Sequence, residues 1–345
     1  MAPPNGSAGD AATTVVAETV QGAPLLEVED LVVHFRSPAG TVRAVDGVSF
    51  RVAPGEMLGL VGESGSGKTV TARAILGLTP RNAVEQVAGA VRYLGRDLRG
   101  LGENELREVR GREIAMVFQD PMTALNPVMK IGTQLAEPLR HHLGMSRAEA
   151  RARAIELLDR VGIPSPERRA SDYPHQLSGG MRQRVVIAIA LSCGPKLLIA
   201  DEPTTALDVT VQAQILDLLQ DLRREQQMAV VLISHDLEVV GGRADHIAVM
   251  YAGRIVEQAP ARAVFGTPRM PYTEALLRSV PRLDQPSHTR LEVIPGRPPR
   301  LDGPLPGCRF ATRCGRVQDR CRSSEPVLAS DAAAPDHLYR CWYPV

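Results

Sequence analysis

The amino-acid sequence predicts an α/β fold: a mostly parallel sheet with flanking helices, a small antiparallel β subdomain, a helical insert and a loop-rich C-terminal extension. Three observations predict it. Residues 62–69 read Gly-Glu-Ser-Gly-Ser-Gly-Lys-Thr, which fits a phosphate-binding loop. Apolar runs of strand length recur at 57–61, 114–118, 197–200 and 229–233. Stretches of helical spacing lie between them, the longest over 122–173.

Composition sets the outer limits. A chain of 345 residues has room for one large domain and a smaller one. Its charges balance at +1 and only 3% of its residues are aromatic, which argues against a global pull toward nucleic acid or anionic lipid and against base-stacking platforms. Residues 1–24 are rich in Ala, Gly, Pro, Thr and Val and lack a basic start followed by an apolar run. They read as a flexible tail rather than an export signal. No stretch reaches 18 uncharged apolar residues, so the chain is not expected to cross a membrane itself. The reducing cytosol is then the default, and disulfides are not expected.

Taken in order, residues 25–35 and 43–52 read as two strands joined by a loop at 37–40, forming the antiparallel subdomain. Phe35 ends the first strand, where it could stack on an adenine ring or serve as a core aromatic. The strand at 57–61 runs into the phosphate loop. There Gly62, Gly65 and Gly67 let the chain, with Glu63, Ser64 and Ser66, wrap into an anion nest of inward N–H groups. Lys68 adds a mobile positive charge for the outer phosphates, and the Thr69 hydroxyl can hold Mg²⁺. From Val70 to about 77 a helix follows, its N-terminus facing the same phosphate.

Residues 87–93 are β-like. The run at 114–118 ends at Gln119, whose amide could coordinate Mg²⁺ or orient water, or be an ordinary turn residue. Within the insert, Ser146 and Glu149 form a capping box, and helical spacing continues through Val161 until Gly162 stops it. Ser178, Gly179 and Gly180 then open a helix to about 192, a second N-terminus suited to a phosphate. Four apolar residues at 197–200 run straight into Asp201 and Glu202. Asp201 would hold the Mg²⁺ shell and Glu202 would polarise the attacking water. A turn at 204–208 leads to an amphipathic helix, and the strand at 229–233 ends at Ser234-His235-Asp236 on the same sheet edge as the two acids. Residues 247–251 and 254–256 suggest a hairpin around 252–253.

Together these residues resemble the ATP-binding cassette (ABC) superfamily over about 25–260, with its motifs in order and spacing. Residues 62–69 match its Walker A, Gln119 its Q-loop, 177–181 its signature, 197–202 its Walker B, 206–208 its D-loop and His235 its switch histidine. Met181 departs from the glutamine that most signatures carry. The resemblance implies a P-loop NTPase core of ABC type at 25–260, with a helical subdomain at about 120–180, and the extension at 261–345. It implies ATP and Mg²⁺ as ligands of a head-to-tail pair of cassettes. Ser178, Gly179 and Gly180 would contact the γ-phosphate held by the partner's Walker A, and Asp208 would belong to the same composite site. Glu202 would be general base, His235 would hold the γ-phosphate, Gln119 would sense it and help hold Mg²⁺, and Lys68 would neutralise developing charge.

More narrowly, residues 118–127, 173–176, 200–209 and 250–253 resemble the ATPase subunit of the oligopeptide/dipeptide importer group, dipeptide-type. Residues 269–273 resemble that group's extension, with Met270 where histidine is usual. The group implies an ATPase that drives transport from the cytoplasmic face of the membrane. Its expected partners are a second, distinct ATPase paralogue, two permease subunits and an extracytoplasmic solute-binding protein. The cargo would be peptide, with nickel or glutathione as alternatives. A soluble nucleic-acid-linked ABC ATPase is the rival reading, supported only by the arginine-rich tail; no nucleic-acid partner is expected.

Residues 281–307 are rich in proline and arginine and read as loop. Cys308, Cys314, Cys321 and Cys341 follow, four of the chain's five cysteines, while Cys193 reads as a small core hydrophobe. Their spacing is unlike the tight pairs of common zinc modules. The importer group's extension carries this pattern with an iron–sulfur cluster, which implies [4Fe–4S] here, with zinc as the alternative and a structural clip as the role. The arginine excess over 296–322 could offset the negative charge of such a site.

Overall fold

The computed structural model describes residues 22–38, 40–80, 82–205, 207–279, 293–303 and 305–345. The expected N-terminal tail therefore lies almost wholly outside the described residues, as does the first half of the expected proline-rich loop. Among the described residues no helix is long and apolar enough to cross a membrane.

Two sheets organise the chain. Strands β1 (Leu26–Ser37), β2 (Gly40–Val52), β4 (Val84–Tyr93) and β5 (Arg96–Asp97) form an antiparallel sheet of order β2-β1-β4-β5. The larger sheet combines β3 (Met57–Val61), β6 (Ile114–Val117), β7 (Leu197–Asp201), β8 (Ala229–Ser234), β9 (His246–Tyr251), β10 (Arg254–Pro260), β11 (Ala329–Asp331) and β12 (Ala334–Tyr339). Its order is β11-β12-β10-β9-β3-β8-β7-β6. From β9 to β6 every pairing is parallel, and from β9 outward to β11 every pairing is antiparallel.

The central strands are apolar throughout because both of their faces are covered. Met57, Leu198 and Leu232 face a core shared with the helices, whereas Leu58, Ile199 and Val231 face a second core under the antiparallel sheet. Alternation is thus present, with an apolar layer waiting on either side.

Parallel register puts the C-terminal ends of β3, β8, β7 and β6 on one edge. Val61 pairs with Ser234, Asp201 with Ile233 and Val117 with Ala200. The phosphate loop leaves the sheet there and enters the helix Lys68–Ile75. The insert contains the helices Pro121–Ala124, Ile131–Leu143, Arg147–Arg160 and Pro166–Arg169. The capping box at its third helix forms as the sequence suggests: Ser146 accepts from the Glu149 N–H, and Glu149 accepts from the Ser146 N–H.

The extension is built onto the cassette. Its helix Pro271–Arg278 and the hairpin β11–β12 were not foreseen, and β12 extends the main sheet by pairing with β10 at Glu257–Tyr339 and Gln258–Leu338. The pairing carries a buried polar cluster. Glu257 is fully buried and accepts from the Arg269 and Met270 N–H groups, with the His337 ring 2.6 Å away. Phe310 packs against Tyr251 and Tyr272 with ring centroids 5.4 and 5.3 Å away. Beside it Arg309 donates to Asp46 and to the Ala252 carbonyl. Burial opposes ionisation of Asp46, yet its bonds to Arg309 and Arg254 prevail and hold the carboxyl down at about 2. Met270, Tyr272, Leu276 and Phe310 of the extension pack into the same apolar core as the central strands.

Candidate nucleotide site

The phosphate loop is shaped by contacts that admit no side chain. Gly62 has φ 152°, and a Cβ there would lie 2.0 Å from the Met250 carbonyl oxygen. Gly67 has φ 108°, and its Cβ would lie 2.3 Å from the Ala44 carbonyl oxygen. Both obstacles are backbone, so only glycine fits. The loop turns through the Ser66 N–H to the Glu63 carbonyl at 3.2 Å and is tied to the β9–β10 turn by the Gly253 N–H to the Ser66 carbonyl at 2.9 Å.

Lys68 is buried and folds back to donate to the carbonyls of Gly62 and Glu63 at 2.7 and 3.0 Å. Burial lowers its pKa against the opposing pull of Glu202, Asp201 and Glu63. The Thr69 hydroxyl donates to Asp201 at 3.0 Å. Asp201 is 1% exposed, and burial raises its pKa despite that bond. The sequence-expected Mg²⁺ pair, Thr69 and Asp201, is therefore assembled across 132 positions.

Glu202 sits just past the end of β7 with φ 47°, a left-handed conformation unusual for a glutamate and characteristic of functional turns. This turns its carboxylate across the sheet edge. Its Oε2 accepts from Gln119 Nε2 at 2.9 Å and from the Thr205 hydroxyl at 3.0 Å, with His235 Nδ1 at 3.3 Å. Its Oε1 lies 4.0 Å from Lys68 Nζ. Gln119, His235 and Lys68, which the sequence places after three separate strands, thus meet at one carboxylate that follows a fourth. Thr205 was missed; a hydroxyl three residues after an acid, across a short turn, was the available signal.

The remaining expected residues are placed less decisively. Ser178 caps the helix Gly179–Leu191, its hydroxyl accepting from the Met181 N–H at 3.3 Å. At Gly180 a Cβ would meet Val211 at 2.7 Å, which explains that glycine by packing. Asp208 caps the helix Val209–Gln226, so its carboxylate is spent on the Val211 N–H. Phe35 is half-buried against the core under the small sheet. On the insert, Met122 and Val128 are 61% and 79% exposed.

Comparison with known proteins fits this geometry. The ABC transporter family pattern matches residues 45–205, and the pattern of the oligopeptide/dipeptide transporter C-terminal region matches residues 256–321. A probable peptide ABC transporter ATP-binding protein of Sinorhizobium fredii is 52% identical over 318 residues, covering 92% of this chain and 94% of its own length. The chain belongs to the ABC transporter family. A putative peptide import ATP-binding protein of Brucella abortus is 55% identical to this cassette over 312 residues, covering 90% and 93% of the two chains. Among solved structures, a dimeric ATP-binding cassette in a post-hydrolysis state with ADP and Pi superposes with TM-score 0.61 at 29% identity. It covers 69% of this chain and 99% of that one. This cassette is an ATPase.

The cysteine site is only partly as expected. Cys308, Cys314, Cys321 and Cys341 are free thiols lining one cavity with Phe310 and Trp342. Burial first, and then the neighbouring thiols, push Cys308 up to about 11; burial likewise pushes Cys341 up to about 11. Among the described residues no three His, Cys, Asp or Glu side chains sit close enough together to hold a metal ion, so the cluster lacks direct support. The arginine excess is also directed elsewhere: Arg309 and Arg313 bind carboxylates of the cassette, and Arg320 stacks 3.5 Å over Trp342.

Proposed function

We propose that this cassette is the ATP-hydrolysing, energy-coupling subunit of an importer for di- or oligopeptides. The observation that carries the reading is the extension: its match to the oligopeptide/dipeptide transporter C-terminal region accompanies relatives named for peptide import that span nearly the whole chain. The insert around 122–137 would receive a coupling helix from one of two membrane permeases, and an extracytoplasmic binding protein would deliver cargo. A second cassette, a distinct paralogue, would complete two ATP sites from the cytoplasmic face. Disrupting this chain in its host should abolish growth on a dipeptide supplying a required amino acid, with growth on the free amino acid unchanged. Normal peptide growth, with nickel or glutathione uptake lost instead, would overturn the peptide assignment.

Within the site, the N–H groups of 62–70 other than those of Glu63 and Ser66, which are already bonded, would cradle the β- and γ-phosphates while Phe35 stacks on the adenine. Thr69 and Asp201, with Gln119, would hold Mg²⁺, which supplies charge neutralisation on the phosphates. Glu202 takes a proton from the attacking water, and Lys68 and His235 balance the charge that moves onto the departing phosphate. Gln119 reports γ-phosphate through its bond to Glu202. Ser178, Gly179 and Gly180, with Asp208 nearby, would close the facing cassette's site.

For the extension we propose a [4Fe–4S] cluster held by the four cysteines, with zinc as the alternative. What supports the reading is that four thiols, the donor set of such a cluster, line one cavity, although among the described residues no three of them are placed to hold a metal ion. The group would act as a clip on the segment that carries Arg309 and Arg313. Anaerobically purified protein should contain about four iron and four sulfide per chain. Stoichiometric zinc, or no metal, would remove the cluster.

A further inference from the structure

Arg313 belongs to the extension, 250 positions from the phosphate loop, yet it ends on that loop. Its Nη1 and Nη2 donate to the two Glu63 carboxylate oxygens at 2.6 and 2.9 Å, a bidentate fork. The other three donors are used as well: Nε reaches the Pro295 carbonyl at 2.9 Å, Nη2 the Ile294 carbonyl at 3.3 Å and Nη1 the Tyr251 hydroxyl at 3.3 Å. The guanidinium is 3% exposed, so none of these bonds competes freely with water. Its own backbone is held by the Arg313 N–H to the Phe310 carbonyl at 2.9 Å, and Phe310 is wedged between two tyrosines.

Glu63 is gripped from the extension a second time. Its N–H donates at 2.9 Å to the hydroxyl of Tyr272, a fully buried residue of the helix Pro271–Arg278. The gripped residue lies between Gly62 and Gly65, both at positive φ, in a stretch that loses much conformational entropy when it orders. Anchors that fix such a loop before its ligand arrives raise affinity by removing that cost from the binding step.

We propose that Arg313 is a positioning residue for the nucleotide site: through Glu63 it pre-orders the phosphate loop, so the extension sets the affinity of the cassette for ATP. The inference needs ATP binding at this loop and nothing about cargo. A wild-type chain that did not bind Mg-ATP would fail the family assignment, a result distinct from those below.

The test is a double-mutant cycle on the full chain, read as the Mg-ATP dissociation constant by titration, with melting temperature measured alongside. Glu63→Gln and Arg313→Gln should each weaken binding about five- to tenfold. The double variant should be no weaker than either single one, because both act through the same fork. Arg313→Lys, which keeps the charge and loses the fork, should fall between. Arg313→Gln that lowers the melting temperature but leaves the dissociation constant unchanged overturns the proposal, as does an undiminished Arg313→Gln effect in the Glu63→Gln background. Should Arg313→Gln fail to fold, Glu63→Gln decides the question. Glu63 is partly exposed and its replacement empties no buried position, so wild-type affinity in that variant overturns the inference too.

Discussion

Glu202→Gln should lower ATP turnover by about 10²- to 10³-fold while Mg-ATP remains bound about as tightly as before. The carboxamide matches the carboxylate in shape and can still accept from Gln119 or Thr205, whose donors now converge on one oxygen. What it lacks is a lone pair basic enough to take a proton from water. The variant also removes a negative charge 4.0 Å from Lys68 and one residue from Asp201, easing the approach of a polyphosphate. Turnover and binding should therefore separate, which distinguishes loss of a base from loss of a binding group. Single-turnover hydrolysis beside nucleotide retention on a filter reads both, and near-normal hydrolysis would remove Glu202 as the base.

Much of this site was legible in the sequence because each strand announces its own end. Runs such as 197–200 are apolar on both faces, so the first charged residue after them marks the sheet edge, and parallel pairing brings those edges together. Gln119 shows the limit of that logic. Alone it reads as well as a turn residue, and only its position past the end of β6, the strand paired with β7, brings its amide to Glu202. The phosphate loop was legible for a different reason: its glycines answer to backbone atoms at 2.0 and 2.3 Å, which no other residue can approach.

The contacts made by the extension left no such trace. The fork from Arg313 to Glu63 and the hydroxyl of Tyr272 join positions more than 200 residues apart; Arg313 stands in no motif or periodic run, and the 269–273 stretch that holds Tyr272 carries a family likeness without saying which residue it touches. An arginine count over 296–322 suggested charge compensation near the cysteines. The structure instead spends Arg309 and Arg313 on cassette carboxylates, because a buried guanidinium is stable only where its donors find partners. Composition could give the excess of charge but not the address of each charge.

The charge arrangement around Lys68 leads to the second large effect: Lys68→Ala should weaken Mg-ATP retention by about 10- to 100-fold, the loss expected for charge-assisted hydrogen bonds to phosphate. The ammonium is buried, and it donates to the Gly62 and Glu63 carbonyls, the stretch of loop that an incoming phosphate must approach. Burial lowers its pKa, and the neighbouring Glu202 and Asp201 oppose that shift. Alanine removes the cation and leaves the Asp201 and Glu202 carboxylates facing the phosphate site without it, so the nucleotide meets repulsion as well as a missing contact. The fold should survive, since the two cores on either side of β3 are untouched and the Thr69–Asp201 bond does not involve the lysine. Retention of radiolabelled ATP at millimolar Mg²⁺, with a thermal melt as control, measures the effect. Undiminished retention in a folded Lys68→Ala protein would place the phosphates somewhere other than this loop.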